Sequence, residues 1–373
     1  MSSTPSSPEL PLLTPSYILA FQFSSWYPSF ARVSPRSTIL RPLDEPFINY
    51  LESDGILVPD GSEDVPAEST LEDEDESDAS GDEEVETDTV HFSFPELDES
   101  IRRAIREYGA VFPKLNFSSP KDASWILPAS SPLKCTSPVD VYLLLKSSDF
   151  ITHDLSVERV FEECSSSNNS DASPSLQPHG YELELVLRKW YPVDQSREVR
   201  CFVRNDKLLG ISQRDTNFYD FMSDPETQNT IKTTVRRFWE EHVRPKWTFT
   251  QADYVFDLLL TRDLSRGHIL DFNPYARRTD PLLFTYEDLY ILLAKANTLG
   301  ETADADTANG YGTLPELRVV DSPLHPAATR NAPTHQHNMV PIEALSLSEG
   351  RDIGEFREIW KDEVKRAMQE DDE

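Results

Sequence analysis

The stretch from Asp253 to Tyr275, DYVFDLLLTRDLSRGHILDFNPY, constrains the fold of this chain more than any other part of the sequence. Two apolar runs, DYVFDLLL and GHILDFNP, flank a polar loop that contains Asp263 and Arg266. Apolar runs of this length around a polar loop predict a β-hairpin with a longer connection. Pro274 is expected to end the second strand, because proline cannot donate a hydrogen bond to a sheet.

Acidic residues stand in both runs, at positions where a strand is usually apolar: Asp257 and Asp271. Side chains alternate along a strand, so Asp271 and Asn273 are expected on the same face. If the two runs pair, Asp257 can lie beside them on the neighbouring strand. Two carboxylates and an amide oxygen suit Mg²⁺ that is held partly by phosphates. Spacing alone leaves open the alternative that these acids face solvent or form turns.

Two cations are candidate ligands of a phosphate group. Lys114 follows a short apolar run and precedes loop-forming Asn, Ser and Pro, so it is either a phosphate ligand or a surface lysine at a strand end. Arg200 stands among apolar neighbours in the middle of a predicted strand. A buried arginine needs an anion, which here is either an Asp or Glu side chain or a bound phosphate.

The charge of the chain narrows its possible partners. The 66 acids outnumber the 35 bases, which gives a net charge of −31. Nucleic acid is therefore not an expected partner, because binding to it depends on clustered Lys and Arg. Residues 60–89 contain 15 acids and no Lys or Arg. Such a block is expected to be a disordered insert or an interaction arm rather than core.

Cysteine usage and the N-terminal sequence predict a soluble protein of a reducing compartment. The three cysteines, Cys135, Cys164 and Cys201, show no CxxC or pairing pattern and are expected to be free thiols. The start, MSSTPSSPELPLL, does not read as a signal peptide. No apolar run approaches the roughly 20 residues that span a bilayer.

Periodicity predicts several further elements. Phe94, Leu97, Ile101 and Ile105 recur at helical spacing. Further helices are expected in VDVYLLLKSSDF (or a strand), TIKTTVRRFWEEHVRPKW, TYEDLYILLAKANTLG and the terminal DIGEFREIWKDEVKRAMQEDDE, and two strands are expected in EVRCFVRNDKLLGISQRD. The aromatic stretch YILAFQFSSWY is expected to be buried, and an exposed Trp26 would instead indicate a docking surface.

With these pieces in order, the sequence resembles the cell division cycle protein 123 family, also called D123. The resemblance lies in PKLNFSSPKDASWI, LLLKSSDFITHDL, ELVLRKW, EVRCFVRNDKLLGISQRD and VFDLLL…LDFNP, and it covers roughly residues 17–294 with gaps. The linked order of five motifs is far more specific than any one of them.

The resemblance implies an α+β, ATP-grasp fold, in which two lobes hold ATP and Mg²⁺. It also implies an assembly chaperone, not an enzyme, that binds the C-terminal part of the γ subunit of eukaryotic translation initiation factor 2. Such a protein would promote assembly of the heterotrimer and support translation initiation and cell-cycle progression. We expect a cytoplasmic monomer with no nucleic-acid or membrane partner.

Carried over position by position, the resemblance assigns Asp257, Asp271 and Asn273 to Mg²⁺. The Val186–Leu187 backbone would form the adenine hinge. Phosphate and other nucleotide contacts would come from Lys114, Phe117, Ser119, Arg188, Lys189, Trp190 and Arg200. Phe117 stands where the family usually has Trp, and Tyr191-Pro192 also departs from the family pattern. Both departures concern the shape of the adenine pocket.

The implied domain limits follow the motifs. Residues 1–16 are expected to be a disordered N-terminus, 17–186 the first lobe with the acidic insert at 60–89, and 187–300 the second lobe with the metal-binding hairpin. Residues 301–373 would be an extension with a linker and a terminal helix.

Two other functions stay open. An ATP-grasp ligase would activate a carboxylate as an acyl phosphate, and it would release ADP together with a ligated product. A purely acidic scaffold would bind a basic partner through residues 60–89 and would have no affinity for ATP.

Replacing residues 60–89 with a Gly/Ser linker is expected to leave the melting temperature unchanged, because so acidic a segment buries too little apolar surface to offset its ordering entropy. Calorimetric melting of both proteins checks this. A large loss of stability on replacement would show that the block belongs to the core.

Overall fold

The computed structural model describes residues 10–63, 91–128, 130–164, 181–301 and 314–330, which mix helices with strands. The helices are α1 (Pro15–Leu19), α2 (Phe23–Phe30), α3 (Glu45–Glu52), α4 (Pro95–Tyr108), α5 (Pro138–Lys146), α6 (Thr152–Leu155), α7 (Val157–Val160), α8 (Pro225–Phe238), α9 (Tyr286–Glu301) and α10 (Pro326–Arg330). The strands are β1 (Ser37–Leu40), β2 (Val111–Lys114), β3 (Leu185–Lys189), β4 (Glu198–Arg204), β5 (Lys207–Gln213), β6 (Tyr254–Leu260), β7 (Gly267–Pro274) and β8 (Glu316–Arg318).

The chain divides into two units, and both sheets lie in the first. This first unit contains Met1–Asp215 and Phe221–Val319, and the second contains Thr216–Asp220 and Val320–Glu373. Helix α10 is the helix described within the second unit. All of the site residues predicted from the sequence belong to the first unit.

The smaller sheet is antiparallel, with β3 between β1 and β2. Helices α3, α4 and α5 share one hydrophobic core with this sheet. The helix predicted around Ile101 is confirmed as α4, and Ile101 is completely buried on the side of the core. Gly109 ends α4 with a φ of 83°, a conformation that favours glycine. The run VDVYLLLK, which fitted a helix or a strand, forms α5.

The larger sheet has the order β7-β6-β4-β5-β8, antiparallel except where β5 and β8 run parallel. The predicted hairpin is confirmed as β6 and β7. The two strands predicted in EVRCFVRNDKLLGISQRD are β4 and β5, and their turn residues Asn205 and Asp206 have φ of 49° and 57°. Two successive positive φ angles suit a two-residue type I′ turn. Helix α9 packs with Phe202 and Val255 in the core of this sheet.

The aromatic stretch is buried, as predicted, and it packs against the hairpin. Trp26 is completely buried, and its ring centroid lies 5.2 Å from that of Phe272. The hydroxyl of Tyr17 donates to the carbonyl of Asp253 at 2.7 Å and accepts the N–H of Tyr275 at 2.9 Å. The N-terminal helices α1 and α2 therefore pack against the open end of the β6–β7 hairpin, where β6 begins and β7 ends.

Four predicted domain limits are displaced in the structure. The limit between residues 186 and 187 falls inside β3, which pairs with β1 and β2, so the first lobe continues to Lys189. Strand β8 lies in the predicted extension but pairs with β5 in the larger sheet. At the N-terminus, Leu13 is buried and the Thr14 side chain caps α1, so residues within the predicted disordered segment belong to the fold.

The acidic insert predicted from residue 60 begins later, because Ser62 is completely buried and the N–H of Asp60 donates to the carbonyl of Phe92 at 2.8 Å. Two predicted segments lie outside the described residues: positions 64–89 of this insert and the terminal helix. The three cysteines are free thiols, as predicted. Within the described part of the chain, no helix combines the length and apolar character that crossing a membrane requires.

Trp26→Ala is expected to lower the free energy of unfolding by about 3–5 kcal/mol, because it leaves a cavity between α2 and the hairpin. Trp125→Ala is the matched control, since this tryptophan is 63% exposed, and its effect should stay within about 0.5 kcal/mol. Urea unfolding measures both. Equal effects of the two substitutions would contradict the packing described for α2.

Candidate functional site

Polar residues stand opposite one another across neighbouring strands of the larger sheet. The register pairs Asp271 of β7 with Asp257 of β6, and Asp257 with Arg200 of β4. Directly opposite residues of antiparallel strands point to the same face. We call Asp271, Asp257 and Arg200 the polar row. The sheet thus brings together three predicted site residues from separate parts of the sequence.

Asp257 is buried and paired with arginines. Arg200 donates from Nε to Oδ1 at 2.8 Å and from Nη2 to Oδ2 at 2.9 Å, and Arg214 donates from Nε to Oδ2 at 3.3 Å. Burial alone would raise the pKa of Asp257, but the charges of Arg200 and Arg214 outweigh it and hold this pKa well below its usual range. In this structure the anion that Arg200 requires is therefore a carboxylate. Arg214, which sequence reasoning missed, lies in the family motif EVRCFVRNDKLLGISQRD.

Asp271 is paired with a cation from the other sheet. Lys114 is the last residue of β2, and its side chain is completely buried. Its Nζ donates to Asp271 Oδ2 at 3.0 Å and to Oδ1 at 3.2 Å. The alternative of a surface lysine at a strand end is therefore wrong, as is that of solvent-facing or turn-forming acids in the strands.

Arg188 of β3 is a buried cation with an unused donor. It is 6% exposed, and its Nη1 donates to the carbonyl of Leu270 at 2.7 Å. A β-bulge provides this carbonyl, because the register steps from Asp257–Asp271 to Leu258–Ile269 and leaves Leu270 as the extra residue. The Nη2 atom of Arg188 is buried and has no hydrogen-bond partner among the described residues. Burial lowers the pKa of Arg188, and the charge of Asp271 opposes that effect.

Phe23 supports both of these cations, a role that sequence reasoning missed. Its ring centroid lies 5.2 Å from Lys114 Nζ and 5.5 Å from Arg188 Cζ. Cations within about 6 Å of a ring face are attracted to its π-electrons. The aromatic stretch signalled burial, but no local pattern links Phe23 to cations on strands far away in the sequence.

Asn273 lies at the edge of a cleft of about 410 Å³. Residues of β7, of the loop that follows β2 and of nearby helices and loops line it, among them Phe117, Ser118, His153, Asn273, Pro274 and Arg278. This volume falls within the roughly 300–1,000 Å³ of small-molecule sites. The cleft brings the predicted metal ligand Asn273 and the predicted nucleotide contact Phe117 to the same space.

Asp154 fixes the loop on one side of this cleft. Its completely buried carboxylate accepts the N–H of Phe117 at 2.8 Å and that of Ser118 at 2.9 Å. The predicted contact Ser119 follows directly, and its carbonyl accepts the N–H of Lys121 at 2.8 Å. Sequence reasoning missed Asp154 as well, although it stands in the motif LLLKSSDFITHDL.

The adenine hinge predicted at Val186 and Leu187 does not fit their position. Both lie in β3, which pairs with β1 on one side and β2 on the other. The backbone groups of a central strand are taken by its neighbours, so they are not free to bind a base.

Lys189 and Trp190 follow at the end of this strand. The Nζ of Lys189 lies 5.3 Å from the ring centroid of Tyr191, and Trp190 donates from Nε1 to the carbonyl of Pro132 at 3.1 Å. Among the described residues, neither side chain joins the polar row through a hydrogen bond or an ion pair.

The predicted metal ligands fit a hard cation in their chemistry. Asp271 and Asn273 share one face of β7, and Asp257 stands opposite Asp271. The Asp271 side chain is 21% exposed, so an ion can reach it. Asp257 would have to share its oxygens with Arg200. No group of three His, Cys, Asp or Glu side chains forms a metal site in the described ranges, and the predicted set, with two carboxylates and one amide, stays a prediction.

Comparison with known proteins identifies the family. The D123 family model matches residues 26–348. The chain belongs to the D123 family. A D123 relative from Schizosaccharomyces pombe, named translation initiation factor eIF2 assembly protein, is 33% identical over 95% of this chain and 98% of its own. A relative of the same name from Xenopus laevis is 39% identical over 95% of this chain and 98% of its own.

A solved D123 structure agrees with the fold. The structure of Cdc123 from Schizosaccharomyces pombe is 32% identical, covers 84% of this chain and 100% of its own, and gives a TM-score of 0.59. The predicted family and the predicted α+β fold are therefore confirmed.

Asp257→Asn is expected to lower the free energy of unfolding by about 3–5 kcal/mol, because it leaves the buried guanidinium of Arg200 without a carboxylate. The double variant Asp257→Leu/Arg200→Met should recover much of that loss, since apolar residues can replace a buried ion pair. Urea unfolding at neutral pH measures both, with Asp263→Asn in the exposed hairpin loop as control. A double variant as unstable as the single one would argue against the pair.

The same pair predicts a pH dependence with a defined sign. The pKa of Asp257 is lower in the folded state than its unfolded value of about 3.9. Its contribution to stability is therefore complete above the unfolded pKa and is lost as the pH falls through the folded pKa. The stability difference between wild type and Asp257→Asn should be constant from pH 7 to about 5 and shrink below about pH 4. A difference that grows in acid would contradict the assignment.

Proposed function

We propose that this chain is an ATP- and Mg²⁺-binding assembly chaperone for translation initiation factor eIF2. Its relatives from Schizosaccharomyces pombe and Xenopus laevis are named eIF2 assembly proteins, and the chain aligns with nearly their whole length. A relative from Candida glabrata is named cell division cycle protein 123, which supports a link to cell-cycle progression. We propose the C-terminal part of the γ subunit as the surface it binds, and the cytoplasm as its location.

The unpartnered nitrogen of Arg188 is the observation that carries nucleotide binding. A buried guanidinium donor without an acceptor is costly, so such groups are nearly always satisfied by protein, water or ligand. Arg188 and Lys114 lie on the same side of the site, against the same Phe23 ring. Two adjacent buried cations suit the oxygens of a phosphate group, which arginine can bind in a bidentate manner.

The predicted metal ligands and Arg200 complete the proposed binding site. Asp271 and Asn273, with a share of Asp257, would hold Mg²⁺ in an ATP-grasp arrangement of the two lobes. The bound ion would neutralise phosphate charge. Arg200 would act chiefly through Asp257, because its Nε and Nη2 donors already bind this carboxylate.

A ligase is the second candidate, and the cleft beside Asn273 favours it. Its volume of about 410 Å³ would accommodate an acceptor substrate next to the predicted metal ligand. Incubation of the pure protein with ATP and Mg²⁺ separates the two functions. ADP together with a ligated product would support the ligase, and bound ATP without a product supports the chaperone.

Arg188→Met is expected to change the stability of the ligand-free protein little, because it removes the unpartnered Nη2 donor but also the Nη1 bond to the Leu270 carbonyl. It should lower the affinity for ATP–Mg²⁺ about tenfold or more, the loss of one charged hydrogen bond. Titration calorimetry and melting curves measure the two effects. The control is Arg106→Gln, whose exposed side chain pairs with Glu99. Unchanged ATP affinity in Arg188→Met would contradict a phosphate at this position.

Partner capture tests the chaperone role. Tagged protein is mixed with purified γ subunit, with its isolated C-terminal part and with the assembled factor, each with and without ATP–Mg²⁺. The proposal expects capture of the γ subunit and of its C-terminal part, and weaker capture by Arg188→Met than by Arg106→Gln. No capture of the γ subunit under any condition would contradict it.

A further inference from the structure

The predicted metal ligand and the predicted phosphate ligand of this site neutralise each other. The completely buried Nζ of Lys114 lies 3.0 and 3.2 Å from the two carboxylate oxygens of Asp271. The carboxylate has no other cation among the ion pairs of the described residues. Each of these two groups is therefore the charge partner of the other until a ligand replaces it.

A metal ion that binds Asp271 without a nucleotide leaves the buried charge of Lys114 uncompensated. An ion that takes the oxygens of Asp271 removes the partner of Lys114, whose side chain is completely enclosed by protein. An uncompensated buried charge is strongly unfavourable, and Arg188 adds a second cation 5.5 Å from the same Phe23 ring. The free metal ion is therefore opposed by two buried cations.

A nucleotide without a metal ion is repelled by the carboxylate of Asp271. A phosphate that takes Lys114 leaves the carboxylate of Asp271 unpaired beside it. Like charges at such short distances repel strongly in a partly buried site, where water screens them poorly. With the metal complex, phosphate oxygens can compensate Lys114 and Arg188 while the metal ion compensates Asp271.

We propose that Lys114 and Asp271 select the metal complex of a nucleoside triphosphate over both the free nucleotide and the free metal ion, an inference that rests on the proposed function. Asp271 then has two roles: it contributes to binding of the metal ion, and it rejects a nucleotide that arrives without one. Lys114 likewise has two roles: it contributes to binding of the phosphate, and it rejects a metal ion that arrives without a nucleotide.

The test is a gain of binding on removal of a charge. Asp271→Asn keeps the shape of the side chain, and it should bind ATP in excess EDTA about tenfold more tightly than wild type. The same variant should bind ATP–Mg²⁺ more weakly than wild type. Asp271→Ser is measured alongside, and calorimetry gives all the affinities.

The converse variant is Lys114→Gln, titrated with Mn²⁺ alone and followed by electron paramagnetic resonance. It should bind Mn²⁺ about tenfold more tightly than wild type does without nucleotide. Asp263→Asn, in the exposed hairpin loop, is the control and should match wild type in every titration. A misfolded variant cannot give a gain of affinity.

The outcomes separate this inference from the proposed function. If wild type binds ATP–Mg²⁺ but neither Asp271 variant gains affinity for ATP in EDTA and Lys114→Gln gains none for Mn²⁺, the selection by charge is wrong and the proposed function stands. If wild type binds ATP neither with nor without Mg²⁺, both are overturned. A gain in the Asp271 variants, with none in Asp263→Asn, supports the inference.

Discussion

The ion pair between Lys114 and Asp271 is the interaction on which the rest of the site depends. It joins the last residue of β2, in the three-stranded sheet, to a residue of β7 in the five-stranded sheet. Because the lysine is completely buried, its charge is stable there only while an anion, either the Asp271 carboxylate or a bound ligand, lies beside it. The ion pair that joins the two sheets therefore also determines which charged ligands can bind beside Lys114 and Asp271. This links the architecture to the proposed function.

Two local features position the charges around this pair. The bulge at Leu270 turns a backbone carbonyl toward Arg188, and bulges are common next to functional sites because they redirect backbone groups. The ring of Phe23 lies against both Lys114 and Arg188. Helix α2, which carries this ring, packs on the hairpin through Trp26. Helix α2 thus contacts the cations through Phe23 and the hairpin that carries the acids through Trp26.

Local pattern was sufficient for much of the fold and for part of the site. Alternation placed Asp271 and Asn273 on one face, and the two apolar runs predicted the strand pairing that brings Asp257 opposite Asp271. Pairing across distant segments was not predictable in this way. Nothing local distinguishes Asp257 as the partner of Arg200, or identifies Phe23 as a support for cations. The hinge at Val186 and Leu187 was misplaced because the sequence did not reveal that β1 and β2 flank β3 on both sides.

The central claim is that a nucleotide with its metal ion occupies the space between Arg188, Lys114 and Asp271. A crystal structure of the protein with a non-hydrolysable ATP analogue and Mg²⁺ tests it most directly. The account predicts that phosphate oxygens accept from the Nη2 atom of Arg188, which is unpartnered without ligand, and that the metal ion binds Asp271 in place of Lys114. A nucleotide bound elsewhere, with the Lys114–Asp271 pair intact, would contradict it.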